Sequence, residues 1–401
     1  MTSDRCRTGR SVLIADAAVD AMGTTCQPAV VVLDGDRIEA TGTPQAIGST
    51  GDAPVTRFDG HVLMPALVNA HAHLDLSGDG CWAPCSDFRA WVGRIRAMRA
   101  AMDDAQRQTA VAHGVALSLA GGTMAVGDIV AHPADAALRA LVDSTLRGIA
   151  FIEAFGLGAM QQDAVDRFAS RAGHRIGRLQ TGFSPHAPYS CGEDVFSAAA
   201  AMAGGVCTHL AETPEEVELL TSGTGAFADM LQHDIGLPEA ALPVPGAHPV
   251  DHLHVHLHRA LCVHLNCIEP RHARLLAQAQ ATACLCPRAT RYFGRDMPGP
   301  LAMLREAGVD IALGTDSLLC LDTPDRISTL DEGRLLFAAD AVDPIDVLAM
   351  ITTTAARAID VEPELVDLRP GPTAGVLALP GASLEDVLRS TAAPMWAAGP
   401  F

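Results

Sequence analysis

Val62-Leu63-Met64-Pro65-Ala66-Leu67-Val68-Asn69-Ala70-His71-Ala72-His73-Leu74-Asp75 is an apolar run that ends in His-Ala-His. In a strand, residues i and i+2 point to the same face. His71 and His73 therefore aim two imidazoles at one point, where the strand runs out. Neutral imidazole is a good ligand for zinc or ferrous iron, so that point can hold a divalent metal. A His-x-His pair alone says little in a chain with 16 His. Its weight comes from its place after a buried-looking strand and from partners later in the chain.

Working outward, short apolar runs alternate with Ala/Leu/Arg stretches at helical spacing from residue 61 onward. This is the pattern of βα units around a parallel sheet. Strands are expected at 61–70, 123–130, 148–155, 179–184, 206–210, 260–265, 281–286 and 310–314. Eight such units make a (β/α)8 barrel, the fold class expected here, over residues 61–358. Helices are expected between them, including 87–115, 324–338 and 343–358, with a Pro- and His-rich loop at 236–258. Residues 11–60 are strand-like around the hairpin turn Asp34-Gly35-Asp36. The stretch 359–401 is again strand-like and punctuated by Pro and Gly. Residues 1–60 and 359–401 are expected to form one small β-sandwich-like domain from both chain ends.

Composition narrows the function. The 401 residues are 49% hydrophobic but only 4% aromatic, so the core is expected to be Ala, Val, Leu and Ile. A formal charge of −19 argues against binding a nucleic-acid backbone or an anionic membrane. No run has the length of a transmembrane helix, and Met1 to Arg10 does not read as a signal peptide, so a cytoplasmic location is expected. The 11 Cys are scattered and odd in number, which suits reduced thiols. All 28 basic residues are Arg. The absence of Lys excludes Schiff bases, P-loops and metal sites bridged by a carboxylated lysine.

Chemistry in such a barrel gathers at the C-terminal strand ends. The first expected strand ends at His71 and His73, and the fourth runs into Ser184-Pro185-His186-Ala187-Pro188-Tyr189. The fifth ends in His209-Leu210-Ala211-Glu212, the sixth in His264-Leu265-Asn266 and the eighth in Gly314-Thr315-Asp316-Ser317. Core packing does not explain His, Asp or Glu at so many ends. Three His and a carboxylate suit a mononuclear site with room for water.

These stretches, with Cys286-Pro287-Arg288 and Tyr292-Phe293-Gly294, resemble the amidohydrolase superfamily in its aminohydrolase, or deaminase, branch. They span about 61 to 340 in the family's order. Within the branch, Asn69 through Ser77 and Thr208 to Leu220 look closest to the aminodeoxyfutalosine deaminase-like group of metal-dependent hydrolases. The resemblance implies one divalent metal, zinc ahead of iron, on His71, His73, His209 and Asp316. It implies Glu212 as proton shuttle, His264 polarising the attacked centre with Asp316 beside it, and His186 touching substrate. Trp82, Glu153 and Arg288 are further candidates for substrate contact. The expected activity is hydrolytic release of ammonia from an amino-substituted heterocycle: an adenine-type nucleoside such as aminodeoxyfutalosine, or a related purine or pterin. The alternatives are hydrolysis of another C–N or C–Cl bond, as in a cyclic amide or triazine, and a non-catalytic barrel scaffold. The partner is a small-molecule substrate, and homodimers are common in families of this resemblance.

The chain departs from the family pattern at three places. Ala289-Thr290 follows Cys286-Pro287-Arg288 where many deaminases have Ser-Asn. Leu318-Leu319-Cys320-Leu321-Asp322 lacks a frequent Asn. Gly371-Pro372-Thr373-Ala374-Gly375 replaces Gly-Lys-x-Ala-Asp. The first two bear on which substrate fits, and the third on the β unit alone.

Overall fold

The computed structural model describes residues 9–339 and 341–400. Eight parallel strands carry the site: β1 (Leu67–Ala72), β2 (Thr123–Val130), β3 (Arg147–Ala154), β4 (Leu179–Pro185), β5 (Cys207–Leu210), β6 (Leu261–His264), β7 (Thr282–Leu285) and β8 (Asp310–Leu313). They pair in sequence order as β1 to β4 and β5 to β8. Parallel bridges join the two groups at both seams, Phe183 to Val206 and Ala72 to Asp316, closing the ring. Helices follow the strands, as right-handed βα units demand. β2 is buried at every position, as a strand covered on both faces must be.

The first barrel strand starts later than expected. Val62 to Pro65 lie in a separate strand, Val55–Pro65, that pairs antiparallel with Val376–Pro380. The chain leaves that sheet and enters the barrel within three residues: Ala66 donates to Gly375 O and Leu67 to Gly122 O. An apolar run is blind to this break, because both strands are buried. The sheet holding Val55–Pro65 has eight strands and draws on both chain ends, including Arg10–Val19, Ala29–Asp34 and Met395–Ala398. Gly375, where the family pattern has Asp, stands against Trp396: a Cβ there would lie 2.6 Å from its ring.

Two expected helices are each divided. The stretch 87–115 is α1 (Phe88–Ala101) and α2 (Asp104–Ala120), separated because Asp103 forms a capping box with Gln106. The stretch 343–358 divides into Pro344–Met350 and Thr353–Ala358, and 236–258 contains a short helix, Pro249–Leu253. Among the described residues no helix is long and apolar enough to cross a membrane. The ten described cysteines are free thiols.

The β8–β1 seam is tight because Gly314 lacks a side chain. A Cβ at Gly314 would lie 2.7 Å from His71 Cβ and 2.8 Å from Cys284 Sγ. Gly314→Ala should therefore cost about 1–3 kcal/mol of stability through overpacking. Thermal or urea unfolding measures this, and an unchanged stability would contradict the close approach.

Candidate active site

The loop-side ends of β1, β4, β5, β6 and β8 converge on one buried point. His71, His73 and His209 place one ring nitrogen each within 4.8 Å of one another. His73 Nε2 lies 3.3 Å from His209 Nε2 and 3.7 Å from Asp316 Oδ1. The His264 ring centroid is 5.9 Å from that of His71 and 5.5 Å from that of His209. All five side chains are buried.

Backbone geometry turns these groups inward. His264 has φ 73° and Asp316 φ 57°, in the left-handed region that non-glycine residues rarely enter. Ala211, two residues after His209, has φ 49°. Strain of this kind persists where surrounding structure over-determines it. At the seam the determinants are visible: Thr315 and Asp316 both donate to His71 O, and His73 donates to Asp316 O. Buried Asn69 adds a side-chain tie, donating through Nδ2 to Thr315 Oγ1 at 2.7 Å and accepting from Thr315 N and His71 N at Oδ1.

Burial sets the protonation states. It pushes the pKa of His71, His73, His186 and His264 well below the usual imidazole value and lowers that of His209. At neutral pH these rings are uncharged and can act as ligands. Burial, followed by the charges of Glu212 and Glu332, raises Asp316 to about 8. His209 Nδ1 lies 2.9 Å from His186 O, which assigns its proton to Nδ1 and leaves Nε2 bare. Among the described residues neither ring nitrogen of His71 has a hydrogen-bond partner, and His73 Nδ1 and His264 Nδ1 are equally orphaned. Buried polar atoms without partners are costly. Three neutral imidazoles around one point, with the Asp316 carboxyl 3.7 Å from His73 Nε2, fit a divalent cation taking N and O ligands, which would favour the ionised carboxylate.

Glu212 follows β5 and is held on several sides. Its backbone N–H donates to Glu216 Oε2 at 2.8 Å, and its carbonyl accepts from Asn266 Nδ2 at 3.1 Å. Its carboxylate lies 3.9 Å from His264 Nε2 and accepts from Arg295 Nη1 at 3.2 Å. Opposite, Glu153 at the end of β3 shares a donor-atom cluster with His186 and His209. Among the described residues neither buried Glu153 oxygen has a hydrogen-bond partner, and Arg99 Nη1 from α1 stands 3.7 Å away. His186 Nδ1 contacts Ser190 Oγ at 2.7 Å, and its ring packs on Phe155 with centroids 4.4 Å apart.

Two expected substrate contacts are engaged elsewhere. Buried Arg288 bonds Glu332 Oε1 at 2.6 Å, Thr323 Oγ1 at 2.8 Å and Ser328 O at 3.1 Å, tying the short helix Pro287–Tyr292 after β7 to helix Thr329–Ala338. Its guanidinium is thus engaged by Glu332, Thr323 and Ser328, as an ion-paired structural residue would be. Trp82 is covered on its ring by the Arg94 guanidinium at 3.8 Å, and its backbone N–H donates to Leu319 O. The arginine of the β7 loop that does reach the site is Arg295. Sequence reading passed over it, because a long side chain beyond a glycine carries no spacing signal.

The amidohydrolase family model matches residues 62–385, and the chain belongs to that family. It is a hydrolytic enzyme of carbon–nitrogen bonds. A 5-methylthioadenosine/S-adenosylhomocysteine deaminase of Symbiobacterium thermophilum is 28% identical over 370 residues, covering 87% of this chain and 79% of the relative. The crystal structure of aminofutalosine deaminase from Helicobacter pylori, in complex with methylthio-coformycin, superposes with TM-score 0.79 at 20% identity. It covers 94% of this chain and 95% of that one. An adenosine deaminase from Xanthomonas campestris with bound zinc superposes with TM-score 0.71 at 20% identity, covering 93% of this chain and 85% of that one.

Removing the Asn69 tie should loosen both strand ends that carry donors. Asn69→Ala is expected to weaken binding of a divalent metal by about 10–100-fold, the usual effect of losing an outer-shell support. Competition with a chromophoric chelator reads this directly; wild-type affinity in the variant would show that the seam does not set donor positions.

Proposed function

We propose that this protein is a metal-dependent deaminase that exchanges the exocyclic amino group of an adenine-type nucleoside for oxygen, with water consumed and ammonia released. The observation that carries this is the placing of Glu212 beside His264, next to a buried set of three imidazoles with Asp316 3.7 Å from His73. The deaminase relatives support the same reaction class. His71, His73, His209 and Asp316 hold one divalent metal, zinc ahead of iron. When bound, it supplies water activated for attack at neutral pH.

The chain's own groups do the proton work. Glu212 takes the proton of the attacking water and delivers it to the ring nitrogen next to the attacked carbon. His264 faces that carbon and hydrogen-bonds the oxygen arriving there, with Asp316 on the other side. Glu212 then carries the second proton of that oxygen to the amine; the C=O bond forms as the C–N bond breaks, and ammonia leaves. His186, anchored on Ser190, contacts the heterocycle. Glu153 has two buried oxygens without donors, a match for paired hydroxyls such as those of a ribose. A cytoplasmic location accords with the free thiols.

Ammonia release tests the reading, with zinc-loaded protein and a panel of aminodeoxyfutalosine, 5-methylthioadenosine, S-adenosylhomocysteine, adenosine, free adenine, pterins and triazines. One or more nucleosides should yield ammonia, while Glu212→Gln should keep its zinc and lose about 10²–10⁴-fold in kcat. Normal turnover by Glu212→Gln would sink the assignment. Glu153→Gln should lower kcat/KM for nucleosides by about 10-fold or more, as expected when a buried polar contact is broken, and leave any free-base activity unchanged. Equal losses on both would remove Glu153 from sugar recognition.

A further inference from the structure

Arg295 lies outside the donor set, yet it makes the direct side-chain hydrogen bond to Glu212, Nη1 to Oε1 at 3.2 Å. The pair is well shielded, with 16% of the Arg295 side chain and 7% of the Glu212 side chain exposed. An exposed ion pair would contribute little, but here the cation is fixed from behind. Its Cζ stands 5.3 Å from the Phe88 ring centroid and 4.7 Å from that of Phe293, a cation–π cradle. The cradle is itself braced: Phe88 and Phe293 are 5.2 Å apart, and Trp91 meets Phe293 edge-on at 5.2 Å. Three segments thus meet over the carboxylate: α1, the turn after β5 and the loop after β7.

We propose that Arg295 is a positioning residue for the proton shuttle. It holds Glu212 Oε1, so that Oε2, the oxygen 3.9 Å from His264 Nε2, is the one presented to the reacting atoms. Glu216 and Asn266 fix the Glu212 backbone but leave its terminal torsion free. A carboxylate free about that torsion offers either oxygen at varying angles. Proton transfer needs one oxygen at hydrogen-bond distance from the water and then from the ring nitrogen and amine. The Arg295 contact removes that freedom before substrate arrives. The inference rests on the deaminase reading.

The test uses the zinc-loaded full chain and whichever panel nucleoside the wild type deaminates fastest. Arg295→Met keeps an apolar stem against Phe88 and Phe293, while Arg295→Ala opens space for a soluble guanidinium ion. Both variants should keep wild-type zinc content. Their kcat should fall about 10–100-fold, as a misplaced catalytic group does, with KM changed less than about threefold. Guanidinium chloride at tens of millimolar, below denaturing strength, should restore part of the kcat of Arg295→Ala and nothing to Arg295→Met. Unchanged kcat, a loss confined to KM, or failure of rescue in a folded, zinc-replete Arg295→Ala overturns the proposal. If Arg295→Ala does not fold, Arg295→Lys replaces it and should retain more kcat than Arg295→Met; equal loss in both overturns the proposal. A wild type silent on the whole panel overturns the deaminase reading and this inference together. An active wild type with an equally active Arg295→Met overturns this inference alone.

Discussion

Closure of the barrel and assembly of the site are one set of hydrogen bonds. His71 O accepts from Thr315 and Asp316, and Asp316 O accepts from His73, so the seam between β8 and β1 is made by the residues whose side chains face the centre. The seam cannot open without moving two imidazoles and a carboxylate. Asn69 reinforces it from below with a fully buried amide. The left-handed backbone at Asp316 is the local cost of turning that carboxylate inward just past the end of β8.

The electrostatics follow from the same burial. Five imidazoles packed together cannot all be charged, and desolvation keeps them neutral. A neutral cluster with orphaned ring nitrogens is a poor place for a proton and a good place for a multivalent cation. Arginines stand around this cluster rather than within it: Arg99 beside Glu153 and Asp75, Arg295 beside Glu212. Each is neutralised by a carboxylate, which limits repulsion between the guanidinium groups and a central cation.

Much of this was legible in the chain. Polar residues at strand ends are conspicuous against apolar runs, so His71, His73, His209, His264 and Asp316 could be found by following where each run stops. Seven of the eight expected barrel strands lie within a residue or so of their observed positions, because each run is short and bounded by turn residues. The exception was 61–70, where two consecutive buried strands belong to different sheets and no polar residue marks the passage. Helix division at Asp103 was missed although its capping pattern is local, because α1 and α2 share one amphipathic texture. Arg288 and Arg295 show the other limit. They are seven residues apart, the first in helix Pro287–Tyr292 and the second just beyond it, and only the packed structure decides that the first is tied to Glu332 while the second reaches Glu212.

The strand Val55–Pro65 borders β1 in sequence but completes its pairing with Val376–Pro380, more than 300 residues later. During synthesis its outer edge stays open while the whole barrel is translated, and such an edge is a template for unwanted strand pairing. The same C-terminal stretch brings Trp396, whose indole donates to Leu119 O at the end of α2. Val376–Pro380 therefore acts as a latch on the strand that leads into β1. One edge of this sheet is thus covered only by chain that follows the whole barrel in sequence, and until then it is exposed to other strands.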